Sequence, residues 1–212
     1  EVVLLLGGPE VMFDPQGVRK SLPQIDYVII GEGEEVMARL LRDLEAGRKP
    51  LLSEQPALVQ DLSVLPFPYP DLAAVLNQHK ICYYECSRGC PFQCSYCLSG
   101  ISHAVRQRPL KLVIQDLDRF IAAGVPLLKF VDRTYNLDED YYLPILEHLA
   151  KAQTKATFHL EIKADLLSAR VLDFLDTVPK GRFQMEIGVQ STNPQTLKAI
   201  GRQDDWVKLN TN

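Results

Sequence analysis

Glu1-Val2-Val3-Leu4-Leu5-Leu6 is a near-continuous apolar run that stops at Gly7-Gly8, as expected of a strand buried on both faces. Asp26-Tyr27-Val28-Ile29-Ile30 repeats the pattern and ends in Gly31-Glu32-Gly33-Glu34. Val36, Leu40, Leu41 and Leu44 then fall at helical spacing, with Gly47 as the stop. Two strands with one full connection bury too little to fold alone, so residues 1–48 read as the tail of an α/β domain. Residues 49–79 carry Pro50, Pro56, Pro66, Pro68 and Pro70, a spacing that suits neither a helix nor a central strand. They are expected to be an extended linker pinned by its aromatics. From residue 80 to 212 strand and helix alternate. Strands are predicted at 81–86, 127–132, 157–163 and 183–190, and helices at 110–123, 139–152, 166–177 and 194–200. Gly124 suits the first helix stop, Asp165 the cap of the third, and Asn193-Pro194 the start of the fourth. Pro144 requires the second helix to start late or bend. Four such units imply a parallel sheet and suit part of a (β/α) barrel.

Composition changes this picture little. The 212 residues are 46% hydrophobic and 24% charged, with 23 Lys+Arg against 27 Asp+Glu and a net charge of −4. That balance excludes disordered and collagen-like classes and argues against a nucleic-acid or anionic-membrane footprint. No apolar run approaches the roughly 20 residues of a membrane span. The opening run has no basic segment before it, so it is not read as a signal peptide. The expectation is a soluble cytoplasmic fragment.

The cysteines change it a great deal. All five, at 82, 86, 90, 94 and 97, lie in one short stretch, unlike a secreted disulfide framework. Cys90-Pro-Phe-Gln-Cys94-Ser-Tyr-Cys97 follows the first strand of the second region. Three thiolates in eight residues can wrap one soft centre. Closed zinc sites and iron–sulfur clusters normally take four protein ligands, so three with unequal spacing suggest a cluster with one iron left for another partner. Cys82 alternates on a strand and suits a small core residue. Cys86 has the spacing of a fourth ligand, yet sits where the strand ends. Zinc completed by Cys86 stays open on spacing alone.

Cys90, Cys94 and Cys97, with Tyr96 before the last, resemble the signature of the radical S-adenosylmethionine (radical SAM) superfamily, and the resemblance covers roughly residues 80–205. It implies an incomplete TIM-like barrel in which the three cysteines hold a 4Fe–4S cluster. The fourth iron would chelate S-adenosylmethionine, and one electron would cleave it to methionine and a 5′-deoxyadenosyl radical for hydrogen abstraction. An electron donor of flavodoxin or ferredoxin type and a small-molecule substrate are implied as well. Tyr96 would shield the cluster or pack near the adenine.

Period-2 geometry puts Phe158, Leu160 and Ile162 on one strand face and His159, Glu161 and Lys163 on the other. The next strand sets Gln184, Glu186, Gly188 and Gln190 opposite Phe183, Met185, Ile187 and Val189. A glutamate at an interior-type position of both strands points to a polar site in the barrel mouth, unless these are exposed edge strands. Glu186-Ile-Gly-Val-Gln190-Ser191 is similar to the fourth strand of the oxygen-independent coproporphyrinogen oxidases. The resemblance implies that Gln190 touches S-adenosylmethionine, that Arg202, twelve residues on, holds its carboxylate, and that Glu161 binds its ribose or amino group. One departure is plain. Where many members carry a Gly-Gly-Glu motif after the second strand, this chain reads Phe130-Val131-Asp132-Arg133-Thr134-Tyr135-Asn136. Asp132 or backbone carbonyls would have to stand in.

Residues 5–9 and 28–34 resemble the last third of a cobalamin-binding, Rossmann-like domain, whose Gly-Gly turn lets backbone approach a flat ligand closely. Hydrogen abstraction, with methyl transfer through cobalamin left open, is therefore the expected chemistry. A methylthiotransferase would need further cysteines upstream, and residues 1–81 have none. The rival from another class is a non-enzymatic metal or iron–sulfur module with Cys86 as fourth ligand.

Overall fold

The computed structural model describes residues 2–53, 55–78, 81–101 and 104–211. Glu1, read with the first strand, His79 and Lys80 at the expected domain boundary, and Asn212 lie outside the described residues. The chain forms two compact units, residues 1–61 and 62–212.

In the first unit β1 (Leu5–Leu6) pairs in parallel with β2 (Tyr27–Val28). Between them lie α1 (Pro9–Phe13) and α2 (Pro15–Ser21), and α3 (Glu34–Glu45) follows. Asp14 caps α2 by accepting the Gly17 N–H at 2.8 Å, one of the donors a helix start leaves unpaired. Val11, Val28 and Ile30 make a small core with Leu6, Met12 and Ile25. Val2, Val3 and Leu4 are exposed, unlike a strand buried on both faces; the ladder begins only at Leu5. The chain then returns alongside β2, where Ala57 bridges to Gly31 and the Val59 N–H reaches the Glu32 carboxylate at 2.8 Å.

The second unit is built on a four-stranded parallel sheet in the order β3 (Cys82–Tyr84), β6 (Leu127–Phe130), β7 (Thr157–Ile162), β8 (Phe183–Ile187). Sequential strands pair throughout, so each crossover helix lands on the same face. These helices are α5 (Leu110–Ala122), α6 (Glu139–Lys151) and α7 (Ala169–Asp176). The sheet residues Cys82, Tyr84, Leu128, Phe130, Phe158 and Leu160 pack with Val113, Leu117, Phe120, Ile145 and Leu149 of α5 and α6 in one core. A small hairpin of β4 (Ser87–Arg88) and β5 (Arg106–Gln107) leaves the end of β3.

Before the sheet come a 3₁₀ turn (Leu62–Val64) and α4 (Leu72–Asn77). Phe67 and Tyr69 of the proline-rich stretch stack on Phe120 at 5.0 and 5.5 Å, and Arg108 bonds the Leu62 and Leu65 carbonyls. Helix α6 runs through Pro144 without a late start. Ser168, not Asp165, caps α7 by accepting the Val171 N–H, because Asp165 lies in a separate 3₁₀ turn and is engaged elsewhere. Asn193 caps α8 (Pro194–Ala199) through Gln195 and Thr196. After it comes α9 (Trp206–Thr211). No described helix is long and apolar enough to cross a membrane.

Candidate metal and cofactor site

In parallel α/β sheets, loops at the carboxyl ends of the strands carry ligand sites. The cysteine loop is placed there, spanning the turn between β4 and β5 just beyond the end of β3. All three cysteines are free thiols, with Cys90 buried, Cys94 half-buried and Cys97 exposed. The Cys97 N–H closes a turn onto the Cys94 carbonyl at 3.0 Å. Cys90 Sγ lies 3.6 Å from Thr134 Oγ1, in the loop after β6. Among the described residues no three His, Cys, Asp or Glu side chains are grouped to bind a single metal ion. Zinc gathers its sulfurs about 2.3 Å from one centre, whereas cluster cysteines each reach out to a larger group. Three free, soft, unbridged thiols on one loop fit such a cluster.

Cys86 is not part of this loop's open face. It is 2% exposed, and its Sγ lies 3.1 Å from Asp132 Oδ1. Burial and the neighbouring Asp132 charge push its thiol well above the ordinary value, so it donates as a thiol. Its sulfur is engaged by Asp132 and is not grouped with the other cysteines. Asp132 is engaged by the same contacts. It is 1% exposed and accepts from the Cys86 N–H (3.2 Å), the Ser87 N–H (2.6 Å) and the Ser87 hydroxyl (2.6 Å). Burial raises its carboxyl above the usual range although these bonds oppose the shift. These bonds tie the end of β6 to the end of β3, three of them ending on Oδ1 and one on Oδ2.

Tyr96, Gln190 and Arg202 are brought together around Gly188. Arg202 donates from one terminal nitrogen to the Gly188 carbonyl at 2.5 Å, from the other to the Tyr96 hydroxyl at 3.2 Å, and from Nε to Asp204 at 2.8 Å. A guanidinium has five N–H groups; these bonds leave one on each terminal nitrogen. Burial alone would lower Arg202, but Asp204 and Tyr96 outweigh it and raise it. The Tyr96 hydroxyl is raised by burial, with Arg202 opposing. Gln190 has φ +63°, and its amide folds back over Gly188, 2.6 Å from where a Cβ there would lie. A left-handed conformation is uncommon for a non-glycine residue and persists where its surroundings hold it.

Glu161 lies on the same open sheet face, paired in register with Glu186, and both are exposed. One step down, His159 Nε2 meets Glu186 Oε2 at 3.1 Å. The polar face expected from period-2 geometry is thus formed, and Glu161 stands apart from the Tyr96–Arg202–Gln190 group. Sequence reading gave no role to Lys163, Asp204 or Thr134. The polar alternation His159, Glu161, Lys163 pointed at the first; nothing in the local sequence marked the other two.

Residues 84–209 match the Radical SAM superfamily, and the chain belongs to that superfamily. It is 27% identical to an uncharacterized methyltransferase of Pyrococcus horikoshii, over 95% of this chain and 48% of the relative. It is 26% identical to the hopanoid C-2 methylase of Rhodopseudomonas palustris, over 98% of this chain and 40% of that one. The chain therefore spans about half the length of the curated relatives it matches. Its fold matches that of TsrM from Kitasatospora setae, a radical S-adenosylmethionine methyltransferase solved with cobalamin and a 4Fe–4S cluster. The TM-score is 0.75 at 14% identity, over 99% of this chain and 46% of that one.

Proposed function

We propose that the whole protein is a cytoplasmic radical S-adenosylmethionine enzyme that transfers a methyl group to a small-molecule substrate with the help of cobalamin. The observation that carries this is the cysteine loop at the carboxyl end of β3, with Tyr96, Arg202 and Gln190 gathered beside it. Cys90, Cys94 and Cys97 hold the 4Fe–4S cluster. Held there, the cluster would supply the single electron needed to cleave S-adenosylmethionine, with a flavodoxin- or ferredoxin-type protein as its electron donor. Arg202 offers its two remaining N–H groups to the cofactor's carboxylate, a group that guanidinium donors bind strongly. Gln190, held in a left-handed turn, presents its amide beside that fork, and Glu161 contributes an acceptor from the open sheet face. Tyr96 covers the cluster side of the same site. Residues 1–48 are read as the C-terminal part of the cobalamin-binding domain and residues 80–212 as the first part of the barrel. The methyltransferase relatives and the cobalamin bound in TsrM support the methyl-transfer reading.

The test is anaerobic reconstitution, iron and sulfide counts, and electron paramagnetic resonance of the reduced protein with and without S-adenosylmethionine. About four irons per chain and a spectrum that shifts on adding the cofactor are expected. Zinc in place of iron, or a spectrum indifferent to the cofactor, would overturn the reading in favour of a metal-binding module.

A further inference from the structure

Lysine is seldom fully buried unless paired. Lys163, just beyond β7, is 8% exposed, and its surroundings account for that. Its ammonium sits 2.6 and 2.5 Å from the two oxygens of Asp165 and 3.0 Å from Asp204 Oδ1. It also lies 5.4 Å from the centre of the Phe92 ring, and Phe92 belongs to the cysteine loop. Its backbone is fixed as well. The Asn136 carboxamide donates to the Lys163 carbonyl at 2.8 Å and accepts from the Lys163 N–H at 2.9 Å.

Asp204 is the hinge of the arrangement. Its side chain has no exposed surface, and it stands between Lys163 and Arg202, with one oxygen toward each. Two cations and two carboxylates balance, which is the condition for keeping such charges out of water. The Asp205 N–H adds a bond to Asp165 at 2.9 Å. On the far side, Arg202 bonds Tyr96, and the Ile200 carbonyl accepts from the Ser95 N–H at 2.9 Å. A continuous chain of contacts thus runs from the end of β7 through Lys163, Asp204 and Arg202 to Tyr96, and a shorter one from Lys163 to Phe92. Both end in the cysteine loop.

We propose that Lys163 is a positioning residue of the candidate cofactor site: by holding Asp204 it fixes the Arg202 guanidinium, and with it Tyr96 and the loop bearing Cys90, Cys94 and Cys97. The geometry stands by itself, while its purpose rests on the radical SAM reading above. Without the ammonium, Asp165 and Asp204 face each other's charge in a buried setting. Asp204 then loses the partner that fixes its Oδ1, and the guanidinium and Tyr96 it supports lose their fixed setting together.

The test compares wild type, Lys163→Met, which keeps the stem and removes the charge, and Lys163→Arg, which keeps the charge. Amide hydrogen exchange is followed first in the cluster-free protein. Lys163→Met is expected to speed exchange in residues 93–97 and 202–205 by about tenfold or more, with Leu128–Phe130 and Phe158–Leu160 unchanged and Lys163→Arg close to wild type. Exchange that is unchanged, or that speeds up equally in the sheet, overturns the proposal, the second outcome marking Lys163 as a general fold residue. Dialysis binding of S-adenosylmethionine is then measured on reconstituted protein. Lys163→Met is expected to keep its iron and bind the cofactor about tenfold more weakly, and Lys163→Arg within about threefold of wild type. Wild-type affinity in Lys163→Met overturns the proposal. A wild type that takes up neither iron nor cofactor overturns the functional reading instead, and the exchange pattern distinguishes that failure from failure of the positioning role of Lys163.

Discussion

Cys86 and Cys90 lie four residues apart and do opposite work. Cys86 spends its thiol hydrogen on a buried carboxylate, whereas Cys90 opens the loop that presents the other two sulfurs. Cys86→Ala removes one donor from Asp132 and a small buried side chain, at a cost of about 1–3 kcal/mol, and touches no proposed cluster ligand. It is expected to keep the iron and sulfide content of the wild type, while Cys90→Ala loses most of it. Iron counts on the two variants, with urea unfolding to follow stability, check this. Equal iron loss in both would restore the four-cysteine module. The same residue-scale logic shows why the contacts of Asp132 were not legible in the sequence. It stands where related chains carry a Gly-Gly-Glu motif, but its hydrogen-bond partners, Cys86 and Ser87, lie some 45 residues earlier in the chain.

Among elements, the turn after α8 matters most to the site. Its backbone docks directly on the cysteine loop: Ser95 N–H bonds Ile200, and a Cβ on Gly201 would lie 3.0 Å from the Gln93 carbonyl oxygen. Gly201 also has φ +65°, where a side chain costs about 1–2 kcal/mol. Gly201→Ala is therefore expected to destabilise the fold by about 1–2 kcal/mol or slightly more and to speed proteolysis within residues 90–101. Unfolding midpoints and limited digestion measure both, and an unchanged cleavage rate would contradict the docking role. The four sheet strands and the helices α5 to α8 were legible beforehand, whereas α4, α9 and the β4–β5 hairpin were not. The apolar spacing through Val113, Leu117 and Phe120 and the alternation from Phe158 to Ile162 are local signals, and each decides one element. Asn193 was legible as a cap because its partners are two and three residues on. Asp165 was not: the cap of α7 falls to Ser168, and Asp165 answers to Lys163 and to Asp205, forty residues away.

Across the whole molecule the three cysteines proposed as cluster ligands could be picked out from spacing, since one loop contains them all. The Lys163–Asp204–Arg202 chain could not, because it joins the loop after β7 to the turn after α8, and only the folded sheet makes them neighbours. Two carboxyls from these long-range contacts also set how the second unit responds to acid. Burial alone would raise Asp165, but the bonds from Lys163 and the Asp205 N–H outweigh it and hold it below its ordinary 3.8. Its stabilisation is present above pH 3.8 and lost as the pH falls through the lower folded value. Asp132 has the opposite sign. Burial holds it above 3.8, so its contribution is full below 3.8 and lost as the pH rises through the folded value. Together they give a contribution to stability that peaks near pH 4 and declines on both sides. Asp165→Asn is expected to flatten the acid limb alone, and Asp132→Asn the limb toward neutrality alone, each seen as a change of slope whatever happens to its height. Urea unfolding of cluster-free protein from about pH 3 to about pH 7 reads these slopes. If Asp132→Asn left the slope toward neutrality intact, the Asp132 carboxyl would not be the buried clamp between β3 and β6.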